Sequence, residues 1–197
     1  MSADIYKHVT DFLAVLLTGC VIKLMDDYLD QEFDIFRGKH SLARQLGLGT
    51  AAYALLIFAI SVSLNRQISV ALFLAAYITG MVYHMRTKYL SGLSGWQETC
   101  IVFVLSWLLA GLNITCAAVC ILLVVQIIDD WLDETNDALT GQKNALQILG
   151  TAESGICALI FLLLALYLDT RLSLFVLLAA PLAVWIINKA EIRRMMP

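Results

Sequence analysis

Long apolar runs recur along nearly the whole chain, broken only by short polar stretches. About 20 residues of helix cross the hydrocarbon core of a bilayer. Seven segments approach or meet that length: Val9–Tyr28, Leu46–Leu64, Ile68–Met85, Thr99–Leu112 (the shortest), Ile114–Trp131, Ile148–Leu168 and Leu172–Ile187. The pattern predicts an all-α fold, a polytopic membrane helical bundle of seven transmembrane helices in a single membrane domain, residues 1–197. Composition agrees. With 60% hydrophobic and 15% charged residues, the chain has too little polar surface for a soluble domain of its size, so the lipid bilayer is its expected surrounding.

The polar punctuation is uneven. Ten of the sixteen acidic residues lie in KLMDDYLDQEFD, from Lys23, and QIIDDWLDETND, from Gln126, each where an apolar run stops. A shift of 103 residues lays MDDYLDQEFDIFRGKHSLARQLG on IDDWLDETNDALTGQKNALQILG with eight of 23 positions identical, four of them aspartates and four glycine or leucine pairs at Leu29/Leu132, Gly38/Gly141, Leu46/Leu149 and Gly47/Gly150. Shared greasiness does not produce aspartates and glycines in register. Each half continues as span, acidic end, loop, span, short turn, span, with the fourth span left as a joiner. Both motif-bearing spans run toward one side, so a parallel duplication is expected, with halves near 1–95 and 96–197.

With seven spans, the side receiving both acidic stretches also receives Arg37, Lys39, Arg44, Arg86, Lys88, Lys143, Lys189, Arg193 and Arg194, against Lys7, Arg66 and Arg171 opposite. With loops this short, that bias places both motifs on the cytoplasmic face of a multi-pass cell-membrane protein. The net charge of −3, with no dense basic patch, gives no reason to expect nucleic acid. The five cysteines fall in apolar stretches without a CxxC and read as small buried hydrophobes. His8, His40 and His84 share no ligand spacing, which argues against zinc. The amino terminus shows no basic n-region or small-residue cleavage site before its first span, which is therefore expected to be retained.

On a helix, Asp26, Asp30 and Asp34 stack along one face, as do Asp27, Asp30 and Asp34; Asp129, Asp130, Asp133 and Asp137 repeat the row. Neighbouring carboxylates in such a row repel by roughly several tenths of a kcal/mol per pair, and more where lipid removes water. Two facing rows would need cations between them. Oxygen ligands without His or Cys suit Mg²⁺, which keeps several waters and bridges carboxylates to phosphate oxygens. As mere solvated helix ends, the acids would oppose the macrodipole, and that reading leaves their duplication unexplained. The nearby cations suit a phosphate: Lys23 one turn before Asp27, then Arg37, Lys39 and Arg44, Lys143 after the second stretch, and Arg86 and Lys88 in YHMRTK, which begins at Tyr83. Each loop cation also suits a positive-inside loop, and Lys23 also suits an ion pair with Asp27.

These residues resemble the UbiA superfamily of membrane prenyltransferases. The family's first motif reads NDxxDxxxD and its second DxxDxxxD, and DDYLDQEFD and DDWLDETND are similar, with Asp26 where the family has Asn. GQKNALQILG resembles the family's Gly-x-Lys-Thr-Leu continuation with Asn144 for Thr, and YHMRTK resembles its Tyr-Pro-x-x-Lys-Arg loop without the Pro. The family has nine helices with the motifs ending the second and sixth; here they end the first and fifth spans. The resemblance implies a Mg²⁺-dependent enzyme acting on a prenyl diphosphate within a cavity open to the cytoplasmic rim. Asp30 and Asp133 would be central to turnover, and Tyr53, Phe73, Tyr77, Trp107 and Trp185 would lie along the isoprenoid. An acceptor capturing the allylic cation gives prenyl transfer; capture by the chain's own double bonds gives terpene cyclisation. In ubiquinone-type members the family's first helix, which the seven spans read here do not include, helps hold the aromatic acceptor; a cavity without a dedicated acceptor pocket would suit cyclisation, while another wall or a homo-oligomer would serve a transferase. A divalent-cation transporter is the reading of a different class, though such sites commonly lie mid-membrane between inverted repeats.

Overall fold

The computed structural model describes residues 2–31, 41–89, 91–133 and 145–195. Among them the chain is helical with no strand; one isolated bridge pairs Lys88 with Ser94. The helices are α1 (Ser2–Leu29), the short α2 (Leu42–Leu46), α3 (Gly49–Leu64), α4 (Arg66–Gly80), α5 (Gly95–Ala110), α6 (Leu112–Leu132), the short α7 (Ala145–Leu149), α8 (Thr151–Leu168) and α9 (Thr170–Met195). The seven longer ones fall, in order, on the seven apolar runs. Four of them, α1, α6, α8 and α9, are long and apolar enough to cross a membrane, while α3 and α5 are apolar but shorter. Large apolar side chains remain exposed along them, as at Ile156, Leu159, Ile160 and Leu163 of α8. In water such a surface would be a liability; against lipid it is ordinary.

The chain forms two compact units. The first joins residues up to Ser69 with those from Phe175 onward. Here α1 packs along α3, and Val21, Leu24, Ala43 and Ala54 form a core closed by Tyr28, Leu42, Ile57 and Phe58. On the other flank of α1, Cys20 meets Ala183 and Ile187 of α9, and Phe12 meets Phe175 edge to face with centroids 5.6 Å apart. Polar side chains tie the unit together. The Ser61 hydroxyl donates to the carbonyl of Ala14 at 2.8 Å and lies 2.7 Å from the hydroxyls of Thr18 and Ser69, so one fully buried oxygen links α1, α3 and α4.

In the second unit, Val70–Leu174, α6 packs along α8 over Ile127, Ala145, Leu146, Cys157 and Phe161. Leu24, Leu42, Ala43, Ala54 and Phe58 of the first core stand 103 residues before Ile127, Ala145, Leu146, Cys157 and Phe161. That spacing is the one separating the acidic stretches. The short helices end alike, on Gly47 and Gly150, both at positive φ, where only glycine is unstrained.

The turns closing the two hairpins match as well. Asn65, with φ −151° and ψ 102°, accepts the N–H of Ile68 at 3.1 Å. Asp169, with φ −153° and ψ 92°, accepts the N–H of Leu172 at 2.9 Å. Ser69 and Ser173 follow, each donating its backbone N–H to the carbonyl of its turn residue. The spacing here is 104, one residue longer.

Loss of the Ser61 hydroxyl should be felt in the fold. Ser61→Ala strands Thr18 and Ser69, and should cost about 1–2 kcal/mol, lowering the melting temperature in detergent. Ser63→Ala, which removes only a local bond to the carbonyl of Ile60, should melt like the parent. Equal melting of both variants would show that the Ser61 junction does not hold the unit.

Candidate functional site

Each acidic stretch begins in the last turn of a long helix, and the two turns close identically. The N–H of Asp30 donates to the carbonyl of Asp26 at 3.0 Å, and that of Asp133 to the carbonyl of Asp129 at 2.9 Å. Asp26 and Asp129 are exposed, Asp30, Asp130 and Asp133 half-buried, and Asp27 is buried at 7% exposure. Regular helix stops at Leu29 and Leu132. Asp30 and Asp133 therefore stand at helix C-termini, where unpaired carbonyls already make the potential negative. Asp34, Arg37, Lys39, Asp137 and Lys143 lie outside the described residues, as does the side chain of Tyr83.

Different partners hold the two stretches. In α1, the Lys23 ammonium lies 3.0 Å from Asp27 Oδ1 and 3.7 Å from Asp26 Oδ2. In α6 the corresponding position, 103 residues on, is Gln126, whose buried Oε1 has no hydrogen-bond partner among the described residues. Asp130 Oδ2 accepts the backbone N–H of Ala145 at 2.8 Å, so the second stretch also fixes the start of α7. The first short helix starts differently, with the Ser41 hydroxyl accepting the N–H of Arg44 at 3.3 Å.

The donor set fits a hard divalent cation. It offers carboxylate oxygens alone, the ligand type such a cation takes. Among the described residues, no three Asp, Glu, His or Cys side chains are gathered closely enough to hold a metal ion; the last aspartate of each row stands outside them.

The YHMRTK segment belongs to a tightly bonded connection between α4 and α5. After a 3₁₀ turn at Val82–His84, the chain doubles back so that Gly95 donates to Thr87 and Trp96 to Met85, each at 3.0 Å. A Cβ on Gly95 would stand 2.4 Å from the His84 carbonyl oxygen, so only glycine permits this approach. Arg86 and Lys88 project exposed from the connection, and Arg44 is exposed on α2. Glu98, in the first turn of α5, accepts hydrogen bonds from the hydroxyls of Ser91 and Tyr77. The five expected isoprenoid-lining rings, Tyr53, Phe73, Tyr77, Trp107 and Trp185, are all exposed. Lys189 lies over Trp185, 4.4 Å from the ring centroid.

One polar site was not singled out by motif reading. Asp11, 4% exposed within the first apolar run, accepts the side-chain amide of Asn65 at 2.7 Å. An acid inside a greasy run was the available signal; its partner, 54 positions away, gave none.

Compared with protein-family models, with curated proteins and with the solved structures, the chain matches none.

The two hydroxyl donors, Ser91 first and then Tyr77, hold the Glu98 carboxyl below the ordinary glutamate range. A folded-state value below the unfolded one contributes stability above the unfolded value, and this is lost as pH falls through the folded one. Wild type should therefore exceed Glu98→Gln in melting temperature at neutral pH. The gap should close on acidification through and below the ordinary glutamate value. A gap unchanged across that window would remove the carboxylate from the account of this connection.

Proposed function

We propose that the chain is a Mg²⁺-dependent intramembrane enzyme of the UbiA type that ionises an isoprenyl diphosphate and transfers the prenyl group to an acceptor. The observation that carries the reading is the recurrence of DDxxD, 103 residues apart, at the same helix end above the same packed residues. The matched cores and twin turns support a parallel duplication, and with it seven crossings that bring both stretches to the cytoplasmic face. A single acidic helix end would be surface charge; two in register within one apolar chain suit a diphosphate held between carboxylate-bound cations.

In this reading Asp26, Asp27, Asp30 and Asp34, with Asp129, Asp130, Asp133 and Asp137, hold Mg²⁺. When bound, Mg²⁺ neutralises the diphosphate and stabilises the charge developing on the leaving oxygen. Arg44, Arg86 and Lys88, with Arg37, Lys39 and Lys143, supply positive charge to phosphate oxygens at the same end. The bond between the allylic carbon and the diphosphate oxygen breaks, its electron pair leaves with the diphosphate, and an allylic cation remains on the prenyl chain. Apolar walls keep water from that cation until a nucleophilic acceptor takes it and gives up a proton.

Terpene cyclisation is the second reading. Asp26, where the family has Asn, favours it by completing a DDxxD like that of soluble terpene synthases. Incubating the purified chain with Mg²⁺ and a set of prenyl diphosphates, with and without aromatic acceptors, and weighing the products by mass spectrometry separates the two. A prenylated acceptor supports transfer, and a cyclic hydrocarbon or alcohol without acceptor supports cyclisation. No diphosphate release from any substrate would defeat both and leave cation transport.

Asp30→Asn and Asp133→Asn should each lower turnover on the order of 100-fold or more, with melting in detergent nearly unchanged. Near-native turnover in both would sink the assignment.

A further inference from the structure

We propose that Lys23 is a resident cation of the first acidic stretch, one that makes divalent-metal binding there conditional on an anion. This rests on the metal-site reading above. The Lys23 ammonium lies 3.0 Å from Asp27 Oδ1, and the two side chains are only 24% and 10% exposed, so solvent screens the pair less than it would a surface pair. The pair is not arranged for the helix. A base N-terminal to an acid at i,i+4 is the weaker order, and the last turn of α1 itself holds no base. At the matching position of the second stretch stands Gln126, which carries no charge.

A divalent ion approaching Asp27 meets a carboxylate already bound to an ammonium, and must displace it. The displaced ammonium, on its flexible four-carbon stem, stays within a few ångströms and repels the ion. Diphosphate oxygens relieve that repulsion by taking the ammonium as their own partner. Metal and diphosphate then favour one another's binding reciprocally, and Lys23 acts as a positioning residue rather than a catalytic one.

The test uses Mn²⁺ as a probe, with free ion measured by electron paramagnetic resonance, on the full chain in detergent. Lys23→Gln should bind Mn²⁺ alone about ten-fold more tightly than wild type, and Gln126→Lys about ten-fold more weakly. Lys23→Arg should resemble wild type. In wild type, Mn²⁺ with inorganic diphosphate should raise the melting temperature beyond the sum of their separate effects, and Lys23→Gln should lose most of that excess. If Lys23→Gln does not fold, Lys23→Met, which retains the apolar stem, carries the same expectation. Wild-type Mn²⁺ binding that Asp30→Asn abolishes but Lys23→Gln and Lys23→Met leave unchanged overturns this proposal alone. Absence of Mn²⁺ binding in all of them overturns it together with the metal site.

Discussion

In a hydrocarbon layer a hydroxyl has no water to turn to, and apolar faces gain nothing by leaving lipid for one another. Helices must then be joined by close packing and by the few polar groups they carry. Ser61 meets that constraint for the first unit, binding the Ala14 carbonyl and the hydroxyls of Thr18 and Ser69 from a fully buried position. Around it the buried positions are small, as at Ala14 and Ala54, which lets α1 and α3 approach. Ser106 and Thr115 make a corresponding link across the α5–α6 turn, 2.9 Å apart. The placement of the α1 carboxylates depends on this join, because Asp26 and Asp27 follow rigidly from a helix held against α3.

The acidic ends press against the opposite constraint. Negative charge at a helix C-terminus adds to the negative end of the macrodipole, so each stretch needs positive charge from elsewhere. Lys23 supplies it to Asp27, and the Ala145 amide supplies a partial charge to Asp130. These are local answers on one helix or one loop. They make each stretch tolerable from within its own surroundings.

The apolar runs were legible because lipid imposes them residue by residue; Ile148–Leu168, for instance, contains the whole of the helix found at Thr151–Leu168 and begins slightly before it. The i,i+4 spacing of Lys23 and Asp27 likewise announces their ion pair. Contacts made at a distance left no such trace. Nothing in YHMRTK shows that the chain returns to set Gly95 against His84. The resemblance of the Asn65 and Asp169 turns escaped the 103-residue register because one added residue, between Phe161 and Asp169, moves it to 104. Asp11 falls inside the Val9–Tyr28 run, and its bond to Asn65 joins positions 54 residues apart that no sequence spacing connects.

The twin turns also limit what the two hairpins can lend each other. Asn65 and Asp169 do the same backbone work, accepting one N–H three residues on, and for that work amide and carboxylate are equivalent. Only Asn65 has a second duty, donating its side-chain amide to buried Asp11. A chimera carrying Asp169–Ser173 in place of Asn65–Ser69 would keep the turn and set carboxylate against carboxylate. Traffic between the copies is thus one-way at this position: asparagine could replace Asp169 in its turn, whereas aspartate is barred from the place of Asn65 for as long as Asp11 stays.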